Sequence, residues 1–279
     1  MKPAAEIVKL VRAMAWRHDA RTIYADFCEI FAVALSQPLN QFNKPLWGRR
    51  EAQYLRVVSK YDAKEIDGFG VIRNAVIEAL EQTPVDVLGN AYEELEVANK
   101  AAGQFFTPYH LCELMAETMV DEALIAKVHT EGFITVGEPA SGSGAMIIAM
   151  ANVMRKKGLE PQRHLHVTTI DKSATAAYMC YIQLSLLGIP AAVWIGNTLS
   201  MEMQEKFLTP MHMIGGWAPS RGDVLVANQI ARNIPKSAHI HLTLEAETAI
   251  PSVATEIAKV DVVMPTTEQM DLFGMEGAA

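Results

Sequence analysis

The sequence predicts an α/β fold: a mainly helical N-terminal region, residues 1–100, followed by a domain with a parallel sheet, residues 101–250. Apolar residues in the first hundred positions recur every three or four residues, which indicates helices with one buried face. From about residue 107, short β-rich segments alternate with helical ones, the order that forms a parallel sheet covered by helices. The last segment, residues 251–279, becomes acidic and ends in small residues, so we expect a loose tail.

The N-terminal region is predicted to be a series of helices. Their apolar positions place them at residues 7–14, 27–35, 55–61, 71–82 and 86–95. Residues 38–45 contain two prolines and predict a break, and Pro84 ends the fourth helix. Asp67-Gly68-Phe69-Gly70 is interpreted as a loop or turn.

Strands and helices alternate in the second domain. Thr107 is predicted to cap a helix that has Pro108 at its first position, where proline needs no hydrogen-bond donor. The predicted strands are residues 133–136, 165–170, 192–195 and 223–227, and the predicted helices between them are residues 145–155 and 174–187. This alternation predicts parallel strands joined by helical crossovers.

Composition excludes several other classes of protein. The chain has 279 residues, 50% hydrophobic and 20% charged, with a net charge of −8, so it can bury a large core and is mostly ordered. It has no uncharged apolar window of about 18 residues, and its N-terminus is amphipathic, unlike a signal peptide. Cys28, Cys112 and Cys180 lack metal-ligand spacing and are expected to be reduced packing residues of a cytoplasmic protein. We therefore predict neither a membrane segment nor a metal site.

Positive charge is concentrated near the N-terminus. Residues 1–80 hold 12 basic and 9 acidic residues, whereas residues 81–279 hold 12 and 23. Two basic clusters are candidates for DNA contact: Lys44, Arg49, Arg50, Arg56 and Lys60, and further on Arg155, Lys156, Lys157 and Arg163. Solvated helix faces are an equal interpretation, so composition alone does not predict DNA binding.

A glycine-rich turn between a predicted strand and a predicted helix is the main candidate site. Gly142 and Gly144 allow the backbone to turn sharply and to approach a ligand closely. Asp171 ends the next strand, where a carboxylate can accept hydrogen bonds from ribose hydroxyls. It follows Gly144 by 27 residues, more than the roughly 20 typical of NAD sites, which weakens that interpretation. A helix-capping role for Asp171 is the alternative.

Two longer motifs carry a family resemblance. They are Gly103-Gln104-Phe105-Phe106-Thr107-Pro108 and Glu138-Pro139-Ala140-Ser141-Gly142-Ser143-Gly144. Together they resemble the adenine-specific N6 DNA methyltransferases, in particular the modification subunit of type I restriction systems. Shorter similarities are Asp86-Val87-Leu88-Gly89 with Tyr92-Glu93, Asp171 with Tyr178, Leu184 and Leu187-Gly188, and Gly196-Asn197-Thr198-Leu199. The resemblance covers roughly residues 85–228 and implies a Rossmann-like methyltransferase sheet that binds S-adenosylmethionine.

The resemblance implies a role for individual residues of this cofactor site. The methionine end of the cofactor would be covered by Gln104, Phe105, Thr107 and Pro108. The turn beneath it would be formed by Glu138, Ala140, Gly142 and Gly144. Asp171 would hold the ribose, and Asn197 would face the adenine. The family usually has an aspartate at the position of Asn197. An amide oxygen still accepts a bond from the adenine amino group, but without charge assistance.

The catalytic motif departs from the family pattern. Members carry Asn/Asp-Pro-Pro-Phe/Tyr after the fourth strand, where polar acceptors hold the target N6 amino group and the aromatic ring stacks on the flipped adenine. Here Asn228 is retained as the implied catalytic residue, but Gln229-Ile230-Ala231 follow it. Asn233, followed by Ile234-Pro235, is an alternative register. About fifty residues follow Asn228, fewer than the further strands and a recognition domain need, so we expect a truncated, incomplete sheet.

The tail contains a second functional motif. Gln269-Met270-Asp271-Leu272-Phe273 resembles the peptide by which many bacterial DNA enzymes dock on the replicative sliding clamp. The resemblance implies hydrogen bonds from Gln269 and apolar anchoring by Met270, Leu272 and Phe273. A tail that folds back on the core is the alternative.

Two functions remain in competition. The first is an S-adenosylmethionine-dependent DNA adenine N6-methyltransferase of a restriction-modification or mobile-element system, reaching DNA through a separate specificity subunit. The second is a catalytically inactive, methyltransferase-like module that docks on the sliding clamp or on restriction-modification subunits. A NAD-dependent oxidoreductase is disfavoured because it has no use for the segment from Gln104 to Pro108.

Overall fold

Helices form the N-terminal part of the chain in the computed structural model, which describes residues 3–96 and 106–217. The helices are α1 (Pro3–Met14), α2 (Ala20–Ser36), α3 (Lys44–Val58), α4 (Ala63–Gln82) and α5 (Val87–Glu96), with a 3₁₀ turn at Gln37–Asn40. Asp19, Asn43 and Asp62 start α2, α3 and α4 by accepting backbone N–H groups of the first turn. The predicted helices at residues 7–14, 27–35 and 71–82 lie within these elements, and that at 86–95 begins one residue before α5. The predicted helix at 55–61 is the end of α3, which stops at Val58.

The second part alternates strands and helices. Its elements are α6 (Tyr109–Met119), α7 (Glu122–Glu131), β1 (Ile134–Glu138), α8 (Ala145–Lys156), α9 (Pro161–His164), β2 (Leu165–Asp171), α10 (Ala174–Leu186), β3 (Ala191–Asn197), β4 (Glu202–Leu208) and α11 (Pro210–Ile214). The first three predicted strands and both predicted helices are confirmed. The predicted strand at residues 223–227 lies outside the described residues.

The four described strands form one sheet in the order β1-β2-β3-β4. β1, β2 and β3 are parallel, as predicted, but β4 runs antiparallel to β3 and is a strand that the sequence analysis missed. Residues 198–201 join β3 to β4, and so short a connection cannot make the crossover that a parallel neighbour needs. The sheet of described strands is therefore mixed, with the polar strand β4 next to β3.

Helix α4 runs straight through residues 67–70, so the predicted loop is wrong. Phe69 and Ile72 are buried on the inner face, and Gly68 leaves room for the side chain of Met14 from α1. Each glycine costs a helix about 1 kcal/mol relative to alanine. Packing of this face outweighs that cost.

Two helix starts also differ from prediction. α3 begins at Lys44, inside the predicted break, because Asn43 caps it and Pro45 occupies its first turn. The N-cap position of α6 belongs to Pro108, and no side chain caps this helix. The predicted capping role of Thr107 is therefore wrong, and the Thr107 side chain is exposed.

One hydrophobic core links the two parts of the described chain. α10 packs between the strands β2 and β3 on one side and the helices α2, α4 and α5 on the other. Its residues from Ala176 to Leu184 are all buried, which requires apolar neighbours around the whole helix. All described residues belong to one compact unit, Met1–Ala231, and the division at residue 100 stays a prediction.

Cys28, Cys112 and Cys180 are free thiols buried in this core, as predicted. Within residues 3–96 and 106–217, each helix is too short or too polar to cross a bilayer.

Candidate functional site

Polar residues occupy the last position of three adjacent strands. Glu138, Asp171 and Asn197 are the last residues of β1, β2 and β3. Because these strands are parallel and paired in register, their carboxyl ends lie at the same edge of the sheet. In open α/β sheets this edge is where ligands bind.

The turn from Pro139 to Gly144 joins β1 to α8 at this edge. Gly142 has φ +53° and Gly144 has φ +93°, in the left-handed region that favours glycine. The Ser141 N–H donates to the Ile170 carbonyl at 3.1 Å, and the Gly144 N–H donates to the Ser141 carbonyl at 2.9 Å. Gly144 occupies the N-cap position of α8 without a capping side chain, so the first amides of this helix are not capped from within the turn.

Asp171 holds the turn and retains acceptor capacity. Its Oδ2 accepts the Gly142 N–H and its Oδ1 accepts the Ser173 N–H, both at 2.8 Å. Each carboxylate oxygen has a second lone pair, so a ligand hydroxyl can still bind. Ser173 is the N-cap of α10, which corrects the alternative that Asp171 takes that position.

Glu138 and Asn197 are also partly engaged. Glu138 Oε1 accepts the Ala140 N–H at 3.2 Å, and Asn197 Oδ1 accepts the Leu199 N–H at 3.0 Å. Thr198 Oγ1 donates to the Pro139 carbonyl at 2.6 Å, which ties the β3–β4 loop to the turn. The second carboxylate oxygen of Glu138 and the amide NH₂ of Asn197 make none of these bonds.

Phe106 brings the segment before α6 against the turn. A Cβ on Gly142 would lie 2.7 Å from Phe106 Cδ1 and Cε1, so the ring occupies the space that glycine leaves. The ring also meets Tyr92 edge to face, with centroids 5.5 Å apart. Thr107 and Pro108, which follow it, are exposed. Phe106 stood within the quoted motif but was missed as a site residue, although an aromatic residue beside Thr-Pro was a signal for it.

A buried polar network contacts the turn through Ser143. The Ser143 hydroxyl donates to Asp86 Oδ2 at 2.6 Å. Gln183 Nε2 donates to Asp86 Oδ1 and to the Ser143 carbonyl, both at 2.9 Å. Burial raises the pKa of Asp86, and its hydrogen bonds from Ser143, Gln183 and the Gly89 N–H oppose that rise. The sequence analysis quoted Asp86 only as part of the lead-in, so this network was missed.

Most residues of the two predicted basic clusters lie beside a carboxylate. In the first, Arg50 is buried, pairs with Glu205 and stacks 3.4 Å from the centroid of the Phe207 ring. The other pairs are Arg56–Glu29, Lys60–Asp26, Lys156–Glu117, Lys157–Glu117 and Arg163–Glu160. Six of the nine basic residues thus lie beside a carboxylate, and Lys156 and Lys157 share Glu117.

Several predicted site residues lie outside the described residues. They are Gln104 and Phe105 of the cofactor segment, Asn228 of the catalytic motif, and Gln269, Met270, Leu272 and Phe273 of the tail.

Comparison with known proteins identifies the family. The model of the N-6 DNA methylase family matches residues 83–231, more than half of the chain. This chain belongs to the N-6 DNA methylase family. The matched region contains Asp86, Phe106, the glycine turn and Asp171, and it confirms the resemblance seen in the sequence. No curated protein matches the chain.

Proposed function

We propose that this protein binds S-adenosylmethionine at the carboxyl ends of β1, β2 and β3. The observation that supports this most is the contact of Phe106 with Gly142, because it brings Phe106 of the first motif against the turn of the second. The bond from Gly142 to Asp171 adds the strand end that would face a ribose. These are the segments that the family resemblance joins into one cofactor site.

The chemistry of the residues present fits this cofactor. The accessible lone pairs of Asp171 suit ribose hydroxyls, and Asn197 offers both a donor and an acceptor to an adenine edge. Gly142 carries no side chain, so the Phe106 ring lies directly against the turn, where it would form one wall of the cofactor site. Gln104, Phe105, Thr107 and Pro108 would cover the methionine end. The cofactor, when bound, supplies an electrophilic methyl group.

We further propose that the methyl acceptor is the N6 amino group of adenine in DNA. Asn228 would accept a hydrogen bond from that amino group and orient it. The family's two prolines and aromatic residue are replaced by Gln229-Ile230-Ala231. Base–aromatic stacking contributes about 1–3 kcal/mol per base, so the adenine would be held less firmly. We propose that a separate specificity subunit of a restriction-modification or mobile-element system delivers the DNA, as the family resemblance implies.

The altered motif favours a second candidate function. A protein that keeps the cofactor turn and loses the rigid acceptor backbone after Asn228 could bind the cofactor without transferring its methyl group. Such a module would act by docking, on the sliding clamp through Gln269, Met270, Leu272 and Phe273, or on restriction-modification subunits.

Calorimetric titration of the full chain with S-adenosylmethionine tests the cofactor proposal. We expect binding by the wild type and about tenfold weaker binding by Asp171→Ala, which is about 1.4 kcal/mol. Glu131→Gln is the matched control. This carboxylate at the end of α7 is exposed, and its ion pair in the described part of the chain is with Lys127. Absence of heat from folded wild-type protein would contradict the proposal.

Methyl transfer separates the two candidate functions. Full-length protein is incubated with labelled S-adenosylmethionine and a mixture of unmethylated DNA fragments. Label in DNA that is lost in Asn228→Ala supports the enzyme. Cofactor binding without label, together with retention on immobilised clamp that Phe273→Ala abolishes, supports the docking module.

A further inference from the structure

Helix α5 contacts both segments of the candidate cofactor site. Asp86 directly precedes it, and Gly89, Tyr92 and Glu93 follow three, six and seven positions later. Residues at this spacing lie along the same face of a helix. This face therefore meets the glycine turn at one end of α5 and the segment before α6 at the other.

At the N-terminal end of α5, the buried carboxylate of Asp86 bonds to the glycine turn. Asp86 Oδ1 accepts the Gly89 N–H at 2.9 Å, as a helix-capping residue does, while its Oδ2 accepts the Ser143 hydroxyl. Gln183 closes the network, since its Oε1 accepts the Leu88 N–H at 3.0 Å. A Cβ on Gly89 would overlap both Asp86 Oδ2 and Ser143 Oγ, so glycine is required for this bond to form.

The second end holds Phe106. Tyr92 packs against the Phe106 ring edge to face. The half-buried Glu93 carboxylate accepts a hydrogen bond from the Phe106 N–H, and burial raises its pKa. Both the ring and the backbone of Phe106 thus contact α5, and the same ring lies against Gly142.

We infer that α5 is a positioning element, which sets how Phe106 lies against the glycine turn. Asp86, Tyr92 and Glu93 act through Ser143 and Phe106 and are positioning residues. This inference rests on the proposed function, because the position of Phe106 affects binding only if the cofactor binds beside the turn. These contacts join α5 to Phe106 and to Ser143. Loss of any one of them should therefore change how Phe106 lies against the turn.

The test compares cofactor affinity with stability in two tyrosine variants of the full chain. Tyr92→Leu removes the ring that backs Phe106. Tyr61→Leu is the matched control, because Tyr61 meets Phe69 edge to face at 4.8 Å in the core of the N-terminal helices. Calorimetric titration with S-adenosylmethionine, well below both melting temperatures, should give about tenfold weaker binding for Tyr92→Leu and less than about twofold for Tyr61→Leu.

A second pair keeps the test decisive if Tyr92→Leu fails to fold. Glu93→Ala removes the acceptor of the Phe106 N–H and should weaken binding, whereas Glu93→Gln retains an acceptor oxygen and should restore it. Hydrogen exchange at the Phe106 amide should accelerate in Glu93→Ala alone.

The outcomes distinguish the two proposals. If the wild type does not bind, the proposed function is overturned and this inference with it. If the wild type binds and Tyr92→Leu loses no more affinity than Tyr61→Leu, or Glu93→Ala binds like the wild type, the inference alone is overturned.

Discussion

Two aspartates bond to neighbouring residues of the glycine turn, and their surroundings differ. Asp171 bonds to the backbone of Gly142 and is half-buried, whereas Asp86 bonds to the side chain of Ser143 and is only 3% exposed. Asp171 therefore keeps lone pairs that a ligand can reach, and Asp86 directs its oxygens to protein donors. The comparison shows how one turn can be held by two carboxylates, of which one stays partly accessible and the other is enclosed by protein donors.

Burial also separates what each aspartate is expected to contribute. A buried acceptor that loses its partners leaves unsatisfied donors, which costs about 1–3 kcal/mol. A half-exposed carboxylate is replaced by water at smaller cost. Substitutions at Asp86 should therefore lower stability, and substitutions at Asp171 should mainly lower cofactor affinity.

The largest expected effect comes from Gly89→Ala. The added methyl group would overlap Asp86 and Ser143 in the buried network, so we expect about 3 kcal/mol lower free energy of unfolding. Gly70→Ala is the matched control in α4, where a Cβ meets nothing within 4 Å, and should stabilise by about 0.5–1 kcal/mol. Urea unfolding measures both. Equal stability of the two variants would show that the network is not tightly packed.

Asp86→Ala should give the next largest effect. It leaves the donors of Ser143, Gln183 and Gly89 without their acceptor, so we expect about 2 kcal/mol lower free energy of unfolding. Asp86→Asn is the control, because an amide can accept from Gly89 and donate to the Ser143 oxygen. Loss of the same stability in both variants would mean that the carboxylate charge, and not the hydrogen bonds, stabilises the network.

Asp171→Asn should change affinity more than stability. The amide keeps one acceptor and loses the other, so one of the two N–H bonds, from Gly142 or Ser173, is weakened, at about 1 kcal/mol. Binding of S-adenosylmethionine should weaken by less than the tenfold loss expected for Asp171→Ala, since the bond to the ribose keeps an acceptor but loses its charge assistance. Calorimetric titration and urea unfolding of the same sample measure both. Unchanged affinity would mean that Asp171 stabilises the turn and does not bind the cofactor.

The smallest expected effect is a pH dependence. Burial raises the pKa of Asp86, so between the ordinary aspartate value, about 3.9, and the raised value the folded state binds more protons than the unfolded state. The contribution of Asp86 to stability is therefore present at low pH and is lost as pH rises through the raised pKa. Asp86→Asn lacks this titration. As pH rises above about 4, the free energy of unfolding of the wild type should therefore fall relative to that of Asp86→Asn. A constant difference between the two curves would refute the assignment.

The candidate site was predictable where its chemistry is local. The glycine pair and the polar ends of the strands stand in sequence patterns that need no tertiary information, and the structure brings Glu138, Asp171 and Asn197 to one edge. Phe106 had a local signal in its motif and was overlooked, whereas Asp86 was not identified because its role comes from contacts across the fold. Asp86 and Ser143 are 57 positions apart, and no local pattern encodes that distance.

The sequence by itself determined the helical start, the order of β1, β2 and β3, the glycine turn and the family, because these depend on periodicity and on residues that are adjacent in the chain. Only the tertiary structure decided that α4 continues through Gly68 and Gly70, that β4 returns antiparallel, and that α5 connects the turn to Phe106. The physical reason is common to all three. Each depends on packing or hydrogen bonding between distant segments, which outweighs local preferences of about 1 kcal/mol per residue.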